Sequence, residues 1–311
     1  MRRILKKILW GVLIVPLVLV GAWLHQLYRG VDENLGVHPL EPLRIAVTDP
    51  LCSRLAPEHL RNHSKRDYAQ LGAFLQERLD RPVEILYSGS PREILQSHRG
   101  QIDLIVGRTS AVFFEAAEVN ELVRPIARLT DGEGSDKVWG LFVVRTKSPA
   151  KAIGDLADHR ILFGPSCDAE RRSEALALLA EHGVAPVPPL RIVSDCVEAL
   201  AAVAKGDADA AVISSYALPL LEGITGVEDG TLRVVGQTTP QPFISVFATT
   251  RLSPAGERTI RDALLSVRTD PQLLAALESK SGFTDVERAP VTEPSPPIQR
   301  PASEWTDWRG P

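Results

Sequence analysis

Cysteine is scarce and histidine is scattered: the chain has three and seven of them in 311 residues, and no spacing of the zinc-ligand kind. No metal and no cofactor is therefore expected. A nucleic-acid footprint is missing as well. The formal net charge is -4, and without the N-terminal Arg2, Arg3, Lys6 and Lys7 it is about -8, a statement about solubility rather than about an anionic partner. The first cysteine, Cys52, falls far beyond the opening apolar run, so a lipoprotein anchor is not expected. Hydrophobic and charged fractions of 44% and 24% are those of a globular protein, so long disorder is expected only at the ends.

What is present is a design used twice. Gly100 to Ser110 reads Gly-Gln-Ile-Asp-Leu-Ile-Val-Gly-Arg-Thr-Ser, and Gly206 to Tyr216 reads Gly-Asp-Ala-Asp-Ala-Ala-Val-Ile-Ser-Ser-Tyr. Each follows a helix-like run, uses Gly as the helix stop, and passes through an Asp into a short apolar strand with polar residues at its carboxyl end. In an open parallel α/β sheet that end is where ligands bind. Two such edges predict two lobes with a cleft between them. Asp103 and Asp209 read as turn formers ahead of their strands.

The rest of the chain fits around these copies. Residues 1–30 form a basic end and an apolar run, Ile8 to Leu24, that reads as a transmembrane helix with the N-terminus in the cytoplasm. A cleaved signal peptide is the alternative. Residues 31–43 are a linker. Strands are expected at Arg44 to Thr48, Val83 to Tyr87 and Ile102 to Val106, with helices opened by Asp67 (capping-box form Asp-x-x-Gln) and by Ser90-Pro91. An apolar helix around Val112 to Val119 and strands at Val123 to Leu129 and Lys137 to Arg145 complete a first lobe, with the crossing to the second near Val144 to Ser148. In the second lobe, strands at Arg160 to Phe163 and Leu190 to Val193 alternate with helices from Asp168 to His182 and from Asp195. Further strands follow at Ala210 to Ile213 and Leu232 to Val235. Phe243 to Thr249 reads as the return, and helices from Ser253-Pro254 and Asp270-Pro271 fold back on the first lobe. The domains are thus 44–145 with 243–284 for lobe 1, 146–242 for lobe 2, and a tail at 285–311.

Several features in this order carry a family resemblance: Asp67-Tyr68, Leu75-x-x-x-Leu79 before Pro82-Val83, Gly100-Gln101-Ile102-Asp103-Leu104, and Val143-Val144-Arg145. Ile153-x-Asp155-Leu156 before Phe163-Gly164, and Ala199-x-x-Ala202-Val203-x-x-Gly206-x-Ala208-Asp209-Ala210-Ala211, continue it. Residues 44 to about 280 resemble the periplasmic substrate-binding proteins of phosphate and phosphonate ABC transporters, a branch of the type 2 periplasmic binding fold. The resemblance implies an α/β fold of two lobes, each a doubly wound, mostly parallel sheet with flanking helices. It implies a small polar or oxyanionic ligand held between the lobes by polar side chains and helix-start amides. Carried over by position, the contacts are Thr48 and Asp49, Arg108, Thr109 and Ser110, Ser166, Cys167 and Asp168, and Ser214, Ser215 and Tyr216, with Trp139 as an aromatic platform. One departure stands out. Where phosphonate binders carry a Ser/Thr-Ser-Gly run, this chain has Ser166-Cys167-Asp168-Ala169-Glu170, a carboxylate pair that repels a dianion unless Arg108, Arg171 or Arg172 compensates.

Each residue also has a plainer reading. Ser214 and Ser215 cap a helix, Arg108 is a surface charge, and Tyr216 and Trp139 are core. For the cysteines, one expectation is a Cys167 to Cys196 disulfide beside the cleft, with Cys52 left over. The other is that Cys167 at a helix start is a nucleophile needing His159 or His182 as base. The chain reads as a binding protein that performs no chemistry, single-pass in the cytoplasmic membrane with its main domain periplasmic, serving an ABC permease or a sensor. The alternatives are an enzyme on the same fold, akin to menaquinone-pathway lyases or thiamine-degrading enzymes, and a ligand-free scaffold. Ala289 to Pro301 holds five prolines and reads as an extended linker. Trp305-x-x-Trp308-Arg309-Gly310-Pro311 is similar to the opening of β-propellers with pyrroloquinoline-quinone-dehydrogenase-like repeats, so a propeller domain is a further partner to consider.

Overall fold

The computed structural model describes residues 41–56, 65–217, 230–286 and 305–307. The expected membrane helix and the proline-rich linker lie outside them, and among the described residues no helix is long and apolar enough to cross a membrane. In chain order the elements are β1 (Leu43–Val47), α1 (Tyr68–Leu79), β2 (Val83–Tyr87), α2 (Pro91–Ser97), β3 (Leu104–Arg108), α3 (Thr109–Glu118), β4 (Val123–Leu129), β5 (Lys137–Val138) and β6 (Gly140–Arg145). Then come β7 (Ile161–Phe163), α4 (Ser173–Glu181), β8 (Leu190–Ile192), α5 (Cys196–Lys205), β9 (Ala210–Ser214), β10 (Leu232–Gln237) and β11 (Gln241–Pro242). Last are β12 (Ile244–Thr249), α6 (Pro254–Ser266), α7 (Pro271–Ala276), β13 (Phe283–Asp285) and β14 (Trp305–Asp307).

Two six-stranded sheets form, in the orders β13-β4-β12-β3-β1-β2 and β10-β6-β9-β7-β8-β14, so the fold is α/β with two lobes. Each sheet has a parallel part: β2-β1-β3 in the first, and β9-β7-β8 with the edge strand β14 in the second. The rest is antiparallel, because β12 runs against β3 and β4, and β6 runs against β9 and β10. A mostly parallel sheet is thus half right for each lobe.

The duplicated motif explains the resemblance between the halves. Asp103 accepts the backbone N–H of Arg44 at 2.9 Å, and Asp209 accepts that of Arg160 at 3.0 Å. Each Asp also donates its own N–H to the carbonyl of that same residue, at 3.0 Å in both copies. The carboxylate therefore staples the start of each lobe's central strand to the start of its neighbour. An arginine completes each staple: Arg251 on Asp103 at 2.9 Å, and Arg160 on Asp209 through two contacts of 2.9 Å. The Arg160 hydrogen bonds hold the Asp209 carboxyl down to about 2. Gly100, Gly183 and Gly206 have positive φ and end their helical segments, as their sequence positions require.

Local capping signals are realised. Asp67, Ser90, Asp195, Ser253 and Asp270 each accept a first-turn N–H. The Asp67 capping box itself is not formed, since Asp67 accepts from Ala69. Gln70 reaches the Asp67 carboxylate at 3.3 Å, while the Asp67 N–H donates to Ala276 at 2.8 Å, tying α1 to α7. The core of the first lobe joins Leu43, Leu71 and Leu75 to Ile260, Leu264 and Leu273, so α6 and α7 cover the first sheet.

The crossings differ from the expected ones. The run Lys137 to Arg145 is broken at Trp139: β5 pairs with β11 in a ribbon of its own, while β6 already belongs to the second sheet. The chain therefore crosses at 130–139 rather than near Val144, and returns at 238–243, with Ile244 to Thr249 lying in the first sheet as β12. Sequence alone reads one long strand there because both halves are apolar; the break is imposed by pairing with a segment about one hundred residues away.

Candidate functional site

The carboxyl ends of β3 and β9 face the two crossings. At β3, Thr109 N–H donates to Phe243 at 2.8 Å, and its hydroxyl lies 2.7 Å from Ser245 Oγ and 3.1 Å from the Phe243 carbonyl. At β9, Ser215 N–H donates to the Trp139 carbonyl at 2.8 Å, and Ser215 Oγ accepts the Trp139 N–H at 3.3 Å. Each central strand is thus tied by its last turn to a segment that crosses between the lobes. Tyr216 stacks on Phe243 with centroids 4.9 Å apart and packs against the cores of both lobes. Burial pushes the Tyr216 hydroxyl up, the Arg108 charge opposing.

Between the two lobes runs an ion pair. Arg108, at the end of β3, bonds the carboxylate of Asp168 and has Glu170 at 3.9 Å. Asp168 also accepts from Arg171 at 3.1 Å, and Glu170 accepts the Ser214 hydroxyl at 2.7 Å. These groups are nearly closed to water, with Asp168, Glu170 and Arg171 each 2% exposed and Ser214 0%. The local backbone makes this close packing possible. A Cβ on Gly140 would lie 2.2 Å from the Glu170 carbonyl oxygen, and one on Gly164 would lie 2.6 Å from Arg171 Cβ. Only glycine lets the 3₁₀ turn Ala169–Arg171 sit against β6 and the end of β7.

Burial would lower the Arg108 pKa, but the Asp168 charge outweighs it and holds the guanidinium well above its usual range. For Asp168, burial acts upward, yet Arg108 and then Arg171 hold the carboxyl below its usual range. Glu170 goes the other way, raised by burial and then by Asp168. The signs of linkage therefore oppose. A raised folded pKa gives Glu170 a contribution that is complete below about 4.3 and lost as pH rises through the folded value; the Asp168 contribution is complete above about 3.9 and lost as pH falls through its lowered value. Glu170→Gln is accordingly expected to raise the melting temperature relative to wild type at neutral pH, with the gain shrinking towards about pH 4.3. A difference independent of pH between about 4 and 8 would contradict it.

The remaining expected contacts are placed otherwise. Asp49 is 0% exposed and spent inside the first lobe, accepting from Tyr68 Oη at 2.5 Å and from Arg66 at 2.9 Å. Thr48 is buried and donates to the Val106 carbonyl at 3.4 Å, with its hydroxyl where a Gly107 side chain would be. A Cβ there would come within 2.1 Å of Thr48 Oγ1. Gly107→Ala is therefore expected to lower the melting temperature, and adding Thr48→Ala to restore much of it; no rescue would mean the strain lies elsewhere. Ser110 is half-buried in the first turn of α3, and Ser166 is exposed. Trp139 is half-buried against the second-lobe core.

The cysteines are corrected. All three are free: no Cys167 to Cys196 bridge is formed. Cys167 donates to Asp168 at 3.5 Å, whereas Cys196 opens α5 against the second-lobe core. Nor is Cys167 an activated thiol. Burial, then the Asp168 charge, push it up to about 12, and the expected long helix begins only at Ser173, after the 3₁₀ turn and a break at Arg172. His159 and His182 set Nδ1 against the carbonyls of Ala157 and Leu178, each at 2.9 Å. Among the described residues no cluster of metal-ligating side chains occurs. The sequence pattern missed Arg66 and Tyr68 as the partners of Asp49. Glu170 and Arg171 were named in it as a carboxylate and a compensating cation, but their burial was not, and its signal was the isolated glycines Gly140 and Gly164, which mark close backbone approach.

Comparison with known proteins agrees with this architecture. XAC2383 from Xanthomonas citri bound to ATP is similar with a TM-score of 0.62 at 20% identity, covering 79% of this chain and 91% of that one. A binding protein component of an ABC phosphonate transporter from Pseudomonas aeruginosa superposes with a TM-score of 0.59 at 17% identity over 79% and 82%. PhnD1 from Prochlorococcus marinus in complex with methylphosphonate gives 0.56 at 15% identity over 79% and 93%. At these identities the likeness is one of fold. Among curated proteins no match is found. Residues 55–290, about three quarters of the chain, match the family described as "ABC transporter, phosphonate, periplasmic substrate-binding protein", and the chain belongs to that family.

Proposed function

We propose that this chain is a membrane-anchored extracytoplasmic solute-binding protein that captures a small polar ligand between its lobes by hinge closure and performs no chemistry. It delivers the ligand to an ABC permease or reports its presence to an attached sensor. The observation that carries the reading is the meeting of both central strand ends at the crossings, with Arg108 of the first lobe bonded to Asp168 of the second. Two lobes joined through crossing segments are the arrangement in which hinge bending closes a site around a ligand. Thr109, Ser110, Ser214 and Ser215 supply hydroxyls and amides at those ends, and Arg108 supplies the cation. The high-pKa Cys167 thiol favours binding over cysteine-dependent catalysis.

The test is a thermal-shift panel on the purified full chain with phosphate, phosphonates, sulfonates and amino acids, followed by native mass spectrometry. One class is expected to raise the melting temperature and to be recovered unchanged. A chemically altered product would speak for an enzyme; a panel without any shift would speak for a scaffold. Anchoring is checked separately: the full chain is expected to fractionate with membranes, and a chain lacking residues 1–30 to be released.

A further inference from the structure

We infer that Asp168 is an internal anion that occupies the Arg108 end of the cleft and sets the specificity of the site against oxyanions. The inference rests on the solute-binding reading above and adds to it a residue that decides which ligands enter. Two guanidinium groups, Arg108 and Arg171, meet two carboxylates, Asp168 and Glu170, so the buried charge is balanced before any ligand arrives. Arg171 cannot release itself to receive an anion. Its guanidinium is spent on the carbonyls of Val193 at 2.7 Å, Ser194 at 2.9 Å and Val212 at 3.2 Å as well as on Asp168. Arg108, held by side-chain carboxylates, is a cation that can turn to a ligand, and its guanidinium already carries one of them.

An oxyanion arriving at Arg108 must displace Asp168 and then lie beside both Asp168 and Glu170. Like charges at such separations in a site closed to water repel strongly. Glu170 is fixed there by the Ser214 hydroxyl and cannot swing away without leaving that hydroxyl unpaired. A carboxylate carried on the chain itself also has an entropic advantage over a free anion, since it is already held at the cation. Asp168 is therefore expected to compete with any phosphate-like group, and its neutralisation to open an oxyanion site. The isosteric amide keeps Arg171 satisfied by its three carbonyls, so the fold of the second lobe is expected to survive.

The experiment titrates the full-length wild type, Asp168→Asn, Glu170→Gln and the double variant Arg108→Gln/Asp168→Asn with inorganic phosphate and with methylphosphonate by calorimetry, folding being checked by circular dichroism. Asp168→Asn is expected to bind at least one of the two about tenfold or more tighter than wild type. Glu170→Gln, which keeps the Ser214 contact, is expected to gain about threefold, and this variant carries the test should Asp168→Asn not fold. Arg108→Gln/Asp168→Asn is expected to lose the gain, because the receiving cation is gone. Affinity in the neutralised variants equal to or below that of wild type, or a gain that survives removal of Arg108, overturns the inference. Failure of the broader reading has a different sign: wild type unmoved by every compound of the thermal-shift panel, whatever the variants do.

Discussion

Arg171→Ala is expected to be the most damaging single substitution in the second lobe, lowering stability by about 3–5 kcal/mol. The side chain is 2% exposed and donates to three backbone carbonyls and one carboxylate. Truncation removes the Arg171 donors from the carbonyls of Val193, Ser194 and Val212, and it removes one of the two counter-charges of Asp168. Lysine does not rescue. A point charge on a flexible stem cannot fork to carbonyls on two different segments while keeping the carboxylate, so Arg171→Lys is expected to recover less than half of the loss. The measurement is urea unfolding followed by circular dichroism, read as a change of midpoint at constant slope. A loss below about 1 kcal/mol for Arg171→Ala would mean that the guanidinium is not the post around which the Ala169–Arg171 turn is built.

The second large effect is expected in the first lobe. Asp49→Ala leaves a guanidinium whose side chain is 3% exposed without its carboxylate, and leaves Tyr68 Oη without its acceptor. A loss of about 3–5 kcal/mol is expected, most of it the cost of an uncompensated buried charge. Arg66 also lies over the Phe243 ring, 5.9 Å from its centroid, so the damage reaches the crossing segment. Asp49→Ala/Arg66→Met removes both charges and is expected to be more stable than Asp49→Ala alone. If the double variant is the worse of the two, the ion pair stabilises beyond the relief of charge burial. Asp49 is therefore a structural residue of the first lobe, and substituting it is expected to change ligand affinity only through stability.

What was legible in the sequence follows from what is local. Ser90-Pro91, Asp195 and Ser253-Pro254 declare helix starts by chemistry confined to four residues, and Gly183 and Gly206 declare stops by a backbone angle other residues avoid. The duplicated Gly-x-x-Asp-apolar motif was visible because Asp103 and Asp209 do the same job in each lobe. Trp139 and Arg172 were not legible. The first breaks a strand because β11 pairs with β5, and the second breaks a helix because Arg171 must sit over Gly164. Both depend on partners outside any local window. Arg108 and Ser214 were named from the rule that ligands bind at strand carboxyl ends and Asp168 from the family resemblance, and the structure brings them into one cluster with Glu170. The rule says nothing of side-chain direction, and so it placed Asp49 and Thr48 in the cleft when their partners turn them inward.

The central claim is that a side chain of one lobe bonds a carboxylate of the other. It is tested most directly by a double-mutant cycle of Arg108→Gln and Asp168→Asn, with stability measured by urea unfolding in buffer free of candidate ligands. The account predicts a coupling of about 1–3 kcal/mol between the two positions. Additivity within about 0.5 kcal/mol would show that the two groups do not meet in solution, and would contradict the account.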